Sequence, residues 1–572
     1  MKKRVKNKYR HLLWISIIFF AFSIVFLYAN RFQSYVFYER IKFNSSGTKI
    51  YANLFYPNSK RDFQEKSPLI IYTHGLGGQK DLDPRIPNEF TKRGFYVACL
   101  DYRGAGESSG SLLDIDLNNN IPVIAQECSR LLDVIETLPV YANINSSQIG
   151  LIGHSFGGMI ALMNGALDNR FKVTVTWAGL VNFSSDYLGI NKEHPLMNYI
   201  PGKIINETNP SNLLVIQSIY DTIVPFEKNA LVAQNLTQCK LIKVNKHLIG
   251  GPHFLFSDKV LIDTINWFEL HFFNSKVING PIHLSYVTAY LLLINSLTAL
   301  LLLALAIIAF SSKYFSIKNN SEKMHQTEIK NQLSKFEIIK QIIKITLYFT
   351  VFLSIWSVFI NIMGTIGLIF ASIALILLYF IVIFIKFALS AEKIGEKLSI
   401  YIELRLKKKI KSQFQKNILA YSLFSTVLFL GLYVSFSFCY PFAFFTPVNA
   451  LSYILTLTIY PFYIVMEIFY RKVIYPGLYF LKSSEVRTII TSLLAILNIL
   501  LLMTLTTNLL LISAAFATYL IILAVIILNS LIYEKTNKFS SVLISSFIII
   551  QLFFGSTVST VLGMGPLVKF LV

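Results

Sequence analysis

Cysteine is almost missing from this 572-residue chain: Cys99, Cys128, Cys239 and Cys439 are the full set. They form no Cys-x-x-Cys pair and no metal-ligand spacing, which argues against a zinc scaffold and a disulfide framework. Nothing else in the pattern calls for a metal or a cofactor. Charge is also scarce: 15% of residues are charged and 54% are hydrophobic, proportions wrong for a purely soluble protein and suited to a chain largely embedded in a membrane. Acidic residues are the rarer sign, 31 against 52 basic ones, leaving a net charge of +21. Such an excess could serve nucleic acid, but no basic face with base-reading or stacking elements is present, so that partner is excluded. Intramembrane histidines and acidic clusters of the proton-relay kind are missing too, which leaves transport with little support.

What is present divides into three zones, and the length alone asks for more than one core. In residues 1–30, Lys2, Lys3, Arg4, Lys6, Lys8 and Arg10 precede an uncharged apolar run from Leu12 to Ala29. That run is long enough to span a bilayer, and Leu27-Tyr28-Ala29 fits a signal-peptide cleavage site poorly, so an uncleaved anchor is expected. Residues 31–280 read as α/β structure. Short apolar runs recur at Leu69–Thr73, Tyr96–Leu100, Ile149–Ile152, Val173–Trp177, Leu213–Gln217 and Leu241–Val244. Amphipathic stretches of helical length lie between several of them, such as Ile121–Leu138 and Met159–Ala166, and Lys259–Phe272 reads as a final helix. The alternation predicts a mostly parallel sheet with helices on both faces. Residues 281–572 are dominated by long apolar runs and predict an all-α polytopic membrane domain of about eight spans, with tight hairpins near Asn361–Gly367 and at Thr506-Thr507-Asn508.

Lys and Arg orient such a chain. They crowd the connections Lys313–Lys340, Lys393–Lys416, Arg471–Arg487 and Lys535–Lys538, while the alternate connections near 361–367, 441–448 and 506–508 carry none. With an odd number of spans, the N-terminus and every basic connection fall on the cytoplasmic side of the cell membrane, and residues 31–280 fall outside. Juxtamembrane attraction to anionic lipid then accounts for much of the charge excess. Asn44, Asn145, Asn182, Asn206 and Asn235 each begin an N-x-S/T triplet, which chance in an Asn-rich chain explains as well as glycosylation does. Inside the apolar runs, Glu467 and Arg471 are four residues apart and are expected to pair; Asn498 and Gln551 are expected to hydrogen-bond between helices.

The chemistry concentrates in Ile149-Gly-Leu-Ile-Gly-His-Ser-Phe-Gly-Gly158, which contains Gly-x-Ser-x-Gly around Ser155. A strand leads in and a helix leads out, so the serine sits on a sharp turn that lifts its hydroxyl above the sheet edge. The same turn puts the Phe156 N–H at a helix N-terminus, where it can stabilise an oxyanion. A second donor should follow an earlier strand; after Leu69–Thr73 comes His74-Gly75-Leu76-Gly77-Gly78, which offers the Leu76 N–H. Asp221 sits just past Leu213–Gln217, where open α/β sheets place active groups. His253, in Gly250-Gly-Pro-His253 ahead of the final helix, would be the base held by Asp221. His247 competes for that role, but the glycine-rich approach and following helix favour His253. His74 and His154 do not lie after the acid, and Asp133 and Glu136 read as a solvated helix face.

Residues 40–275 resemble the α/β-hydrolase superfamily, on the blocks His74-Gly75, Asp101-Tyr-Arg-Gly-Ala-Gly-Glu-Ser108, Gly153-His-Ser-Phe-Gly157, Asp221 and His253 in that order. The likeness is strongest to the dienelactone-hydrolase and prolyl-oligopeptidase-like branch. It implies a serine-hydrolase fold and triad, with Asp101–Ser108 as a structural turn, and it leaves the substrate open among small-molecule, lipid and peptide acyl compounds. The stretch of about 180–211 sits where such enzymes carry a lid and predicts a small cap. Three readings follow: an outward-facing membrane-tethered hydrolase of an ester or amide, an acyltransferase with the same triad, or a non-catalytic hydrolase-like sensor on a membrane bundle. No family is assigned to the C-terminal spans.

Overall fold

In the computed structural model of the chain, residues 2–32, 38–57, 65–80, 83–245, 252–255, 257–274, 282, 286–317, 334–394, 398–439, 450–481, 483–505 and 516–563 are described. After helix α1 (Lys2–Phe32), strands β1 (Tyr38–Ser45) and β2 (Thr48–Phe55) form a hairpin. β2 pairs antiparallel with β4 (Tyr96–Asp101). The other strands run parallel: β3 (Ser67–Thr73), β7 (Ile144–His154), β8 (Phe171–Trp177), β9 (Leu213–Ser218) and β10 (Lys240–Val244). The eight strands follow the order β1-β2-β4-β3-β7-β8-β9-β10; the short β5 (Ile115–Asp116) and β6 (Ile121–Pro122) pair apart from them.

Each apolar run foreseen as a strand is one. β3, β4 and β9 are buried at every position, the signature of strands covered on both faces. One face packs Leu69, Ile71 and Leu151 against α3 (Glu127–Thr137) and α4 (Phe156–Leu167), and α7 (Ala230–Thr237) extends that layer. The other packs Ile70, Tyr72 and Val175 against α2 (Arg85–Lys92) and α8 (Asp258–Phe273), where Phe90 meets Phe268 edge-on at 5.6 Å. Each such fully buried ring is worth about 1.5–3 kcal/mol. The amphipathic stretch Ile121–Leu138 is helical only in part: its start pairs as β6 and continues as a 3-10 turn before α3 begins at Glu127. Between β8 and β9 lie only short pieces, α5 (Ser185–Leu188), a turn at Pro195–Asn198, and α6 (Pro201–Ile204).

The strand order positions the site. From β3 the chain moves to β4 on one side and then crosses to β7 on the other, so β3 and β7 flank the reversal. In open α/β sheets the crevice at the C-terminal ends of such a pair is where ligands bind.

Beyond the sheet the described residues form the helices α9 (Tyr286–Ser311), α10 (Lys335–Ile394), α11 (Leu398–Gln413), α12 (Lys416–Cys439), α13 (Ala450–Ile468), α14 (Ser484–Leu505), α15 (Phe516–Thr536) and α16 (Phe539–Gly563). Among the described residues, Lys335–Phe359, Phe370–Lys393 and Lys416–Val434 are long and apolar enough to cross a membrane. Exposure runs opposite to that of the sheet domain: on α1, Ile18, Phe22 and Val25 are exposed while Ser16 and Ser23 are buried. α1 packs along α9, with the Asn295 amide donating to Ser23 Oγ at 3.1 Å.

Two expectations change here. The hairpin placed near Asn361–Gly367 is absent: α10 is one 60-residue helix, whose glycines cost it helix propensity but do not break it. The Asn498 amide has no hydrogen-bond partner among the described residues; its helix runs on towards 506–515, which lie outside them, as does the hairpin expected at Thr506-Thr507-Asn508. Gln551 Oε1 likewise has none among them. The expected Glu467–Arg471 pair forms at 2.9 Å, with Tyr463 and Asn529 donating to Glu467 and with Arg471 inside a π-helical turn, Phe469–Ile474.

Candidate active site

Ser155 joins β7 to α4 with φ 55° and ψ −118°, a left-handed conformation that costs a non-glycine residue about 1–3 kcal/mol and persists only where its surroundings enforce it. Here they do. The Ser155 N–H donates to the Trp177 carbonyl at 2.8 Å, and its own carbonyl accepts from Met159 at 3.2 Å. The turn is so tight that a Cβ at Gly153 would lie 2.3 Å from the Gly157 carbonyl oxygen, and one at Gly157 would lie 2.3 Å from the carbonyl oxygens of Thr73 and His74. These contacts are why the motif needs glycine on both sides of the serine.

Asp221 follows β9 in a turn. Its Oδ1 accepts from the backbone N–H groups of Ile223 at 3.0 Å and Val224 at 2.9 Å, which fixes the carboxylate plane. His253 Nδ1 lies 2.9 Å from Asp221 Oδ2 and 3.1 Å from Oδ1. A carboxylate accepts and does not donate, so the ring proton sits on Nδ1 and leaves a lone pair on Nε2. That lone pair faces Ser155 Oγ at 2.9 Å. All three residues are buried. The structure thus brings together Ser155, Asp221 and His253 from three separate loops; His247, Gly250 and Gly251 lie outside the described residues.

The two expected N–H donors occupy the ends of β3 and β7. Phe156 opens α4, whose first N–H groups have no intrahelical acceptor, and its ring is buried near Tyr102 at 5.9 Å. Leu76 follows a peptide unit held by three donors: the Gly75 carbonyl accepts from His74 Nδ1 at 2.8 Å, Tyr102 Oη at 3.2 Å and the Gly78 N–H at 3.0 Å. In a trans peptide the next N–H points opposite to that carbonyl, so the clamp on Gly75 sets the direction of the Leu76 N–H. His74 stacks on Tyr102 at 4.3 Å, and burial lowers its pKa below the ordinary histidine value. Behind the clamp, buried Asp101 pairs with Lys80 at 2.8 Å, and Lys80 reaches Glu107 at 2.6 Å. The Asp101–Ser108 block therefore lies against the His74–Gly78 loop and does not approach Ser155 through any hydrogen bond among the described residues.

Sequence reasoning set His154 aside because it precedes the acid, yet it is part of the site. Its Nε2 lies 3.1 Å from the His253 carbonyl oxygen, and its ring centroid lies 5.3 Å from that of His253. Burial and the neighbouring His253 push its pKa down to about 4. Its place beside the nucleophile was the available signal, but adjacency alone does not say which way a ring points. Among the described residues no group of three or more His, Cys, Asp or Glu is placed to hold a metal ion.

Residues 68–172 match the family described as "alpha/beta hydrolase fold". Over 112 residues the chain is 36% identical to an uncharacterized 31.7 kDa protein of the traX-finO intergenic region of Escherichia coli, covering 19% of this chain and 37% of that one. It is 28% identical over 154 residues to the platelet-activating factor acetylhydrolase of Cavia porcellus, covering 20% and 35% of the two chains. It is 22% identical over 213 residues to the lysophosphatidylserine lipase ABHD12 of Danio rerio, covering 33% and 52%. The matches thus span between about a third and a half of those relatives. Together, the matched segment, the strand order and the strained serine turn assign the sheet domain of this chain to the α/β-hydrolase superfamily.

Proposed function

We propose that the chain is a membrane-tethered serine hydrolase that cleaves an acyl ester through a covalent acyl-enzyme. The observation that carries this reading is the unbroken hydrogen-bond path from Asp221 through His253 to the hydroxyl of Ser155. In the first half-reaction Ser155 Oγ attacks the carbonyl carbon while His253 Nε2 takes its proton, and Asp221 stabilises the imidazolium. The N–H groups of Phe156 and Leu76 receive the oxyanion. His253 then gives its proton to the departing alcohol, and water repeats the sequence to free the acid and Ser155.

The acyl group is proposed to be apolar. Leu180, Phe183, Leu196, Ile200 and Val224 belong to the same buried apolar cluster as Phe156, and Leu76 packs against that cluster. The names of the acetylhydrolase and lipase relatives agree with a lipid-ester class. The short helices of residues 180–211 would form the cap over that side.

Membrane attachment rests on the inverted exposure of the helical region and on the pairing of α1 with α9, which gives the N-terminal helix a partner and suits an anchor that is kept. The proposed orientation, with the N-terminus cytoplasmic and the hydrolase domain outside, rests on the Lys and Arg distribution. That distribution asks the chain to cross twice between Lys335 and Lys393, whereas α10 as one helix would be about 90 Å long, three times a bilayer core of about 30 Å. As one helix α10 does not supply both crossings, so the proposed orientation rests on the basic residues Lys2–Arg10 that precede the apolar run of α1.

A fluorophosphonate probe should label the purified full-length chain, and Ser155→Ala should abolish labelling and ester hydrolysis. Equal labelling of the two proteins would refute the reading.

A further inference from the structure

Two consecutive residues hold opposite ends of His253. Ser155 faces the ring Nε2 at 2.9 Å, and His154 faces the backbone carbonyl at 3.1 Å. A carbonyl can only accept, so His154 carries its proton on Nε2. We propose that His154 is a positioning residue: its Nε2–H holds the base loop onto the nucleophile strand and so sets the distance between His253 and Ser155. The inference rests on the serine-hydrolase reading of the same site.

The base loop needs such a hold. Residues 252–254 form a turn and belong to neither a strand nor a helix. Leu255, two residues past the base, has φ 52°, a strained value for a γ-branched residue, and its side chain is fully buried in the core under α8. The loop is thereby pinned on the far side of His253 by Leu255 and on the near side by His154. Losing the second pin leaves the ring free to shift on its Asp221 contact, and a misplacement of about 1 Å costs about a hundredfold in rate. On the opposite flank His154 abuts the oxyanion loop: a Cβ on Gly75 would lie 2.8 Å from His154 Nδ1. One imidazole thus spaces the base loop from the oxyanion loop.

The test compares His154→Gln with His154→Met in the full-length protein. The two side chains have nearly the same length, and only glutamine can donate to the His253 carbonyl. The readouts are the second-order rate of fluorophosphonate labelling, kcat and KM on an acyl ester, and the thermal midpoint. Expected is a tenfold to hundredfold slower labelling and lower kcat for His154→Met, KM within about threefold of wild type, and recovery to within about threefold in His154→Gln. Equal rates in the two variants would overturn the inference, as would failure of both to fold, which would make His154 a folding residue. If the wild-type chain itself were not labelled, the serine-hydrolase reading would fall first, so the two failures are distinct.

Discussion

The sheet domain and the helical region solve burial in opposite ways. In the sheet domain the interior is apolar on both faces of the strands, and the buried charges come in pairs such as Lys80 with Asp101 and Arg103 with Glu127. In the helices many large apolar side chains point outward, as Phe380 and Phe384 do on α10, while Ser425, Thr426, Asn529, Ser545 and Ser546 lie inside beside buried rings such as Trp356 and Phe429. The first pattern is what water enforces. The second is what lipid allows, because hydrocarbon gives apolar groups no reason to hide and polar groups no partner except each other. Under the proposed membrane reading, one chain is folded in two solvents, and the site belongs wholly to the one folded in water.

That separation can be attacked through activity first. Asp221→Asn should lower kcat about 10²–10⁴-fold, because an amide no longer holds the proton on Nδ1 of His253 or stabilises the imidazolium. Thermal unfolding of the helical region should not change. A parallel loss of helical stability would mean that the two regions do not behave as separate bodies.

The next blow falls on the other side. Glu467 accepts from Arg471, Tyr463 and Asn529, and Arg471 also donates to the Ile526 carbonyl at 3.2 Å, so the pair ties α13 and its π-helical end to α15. Glu467→Ala leaves a buried guanidinium without its counter-ion, a loss of about 3–5 kcal/mol. A lower thermal midpoint in detergent with unchanged fluorophosphonate labelling is the expected result. Loss of labelling at a temperature where the sheet domain stays folded would show that the bundle supports the site.

A third prediction concerns pH and the sheet domain alone. His154 stays neutral in the folded chain down to about pH 4, whereas an unfolded histidine titrates near 6.5. Between those values the unfolded chain binds more protons, so stability falls as pH falls through that window, by up to about 3 kcal/mol. His154→Gln should flatten the slope of the sheet domain's midpoint against pH between 6.5 and 4, and an unchanged slope would assign the acid sensitivity to other groups.

The sequence made the catalytic half far more readable than the helical half, for physical reasons. Buried parallel strands are short uninterrupted apolar runs, and β3, β4, β8, β9 and β10 appear at their own places to within two residues. β7 starts earlier than its apolar run because Asn145, Ser146, Ser147 and Gln148 break the pattern at its open end. β1 offers no apolar run, because Ile41 and Phe43 are buried in alternation with exposed Arg40, Lys42 and Asn44. Ser155, Asp221 and His253 could be proposed because each follows a legible strand or precedes a legible helix. The grip of His154 on a carbonyl, and of His74 and Tyr102 on another, could not, since a hydrogen bond to backbone leaves no spacing in the sequence. In the helices every long run looks alike, and nothing in residues 345–385 says whether the chain turns or continues.

The smallest effect is also the sharpest probe of the two solvents, because it asks one substitution to behave differently in two places. Ile18 on α1 and Leu117 at the tip of the β5–β6 hairpin are both exposed, 65% and 95%. If α1 lies in lipid, Ile18→Lys places an ammonium near the middle of a span and costs about 2.5–3.5 kcal/mol of insertion. Leu117→Lys places the same group in water, where surface changes stay within about 0.5 kcal/mol. Labelling of the sheet domain from outside the cell by an impermeant reagent, which reports whether α1 has inserted, should drop for Ile18→Lys and stay at the wild-type level for Leu117→Lys. Were both variants labelled equally, α1 would not be facing hydrocarbon at position 18, and the exposed apolar face of that helix would need a protein partner in place of a bilayer.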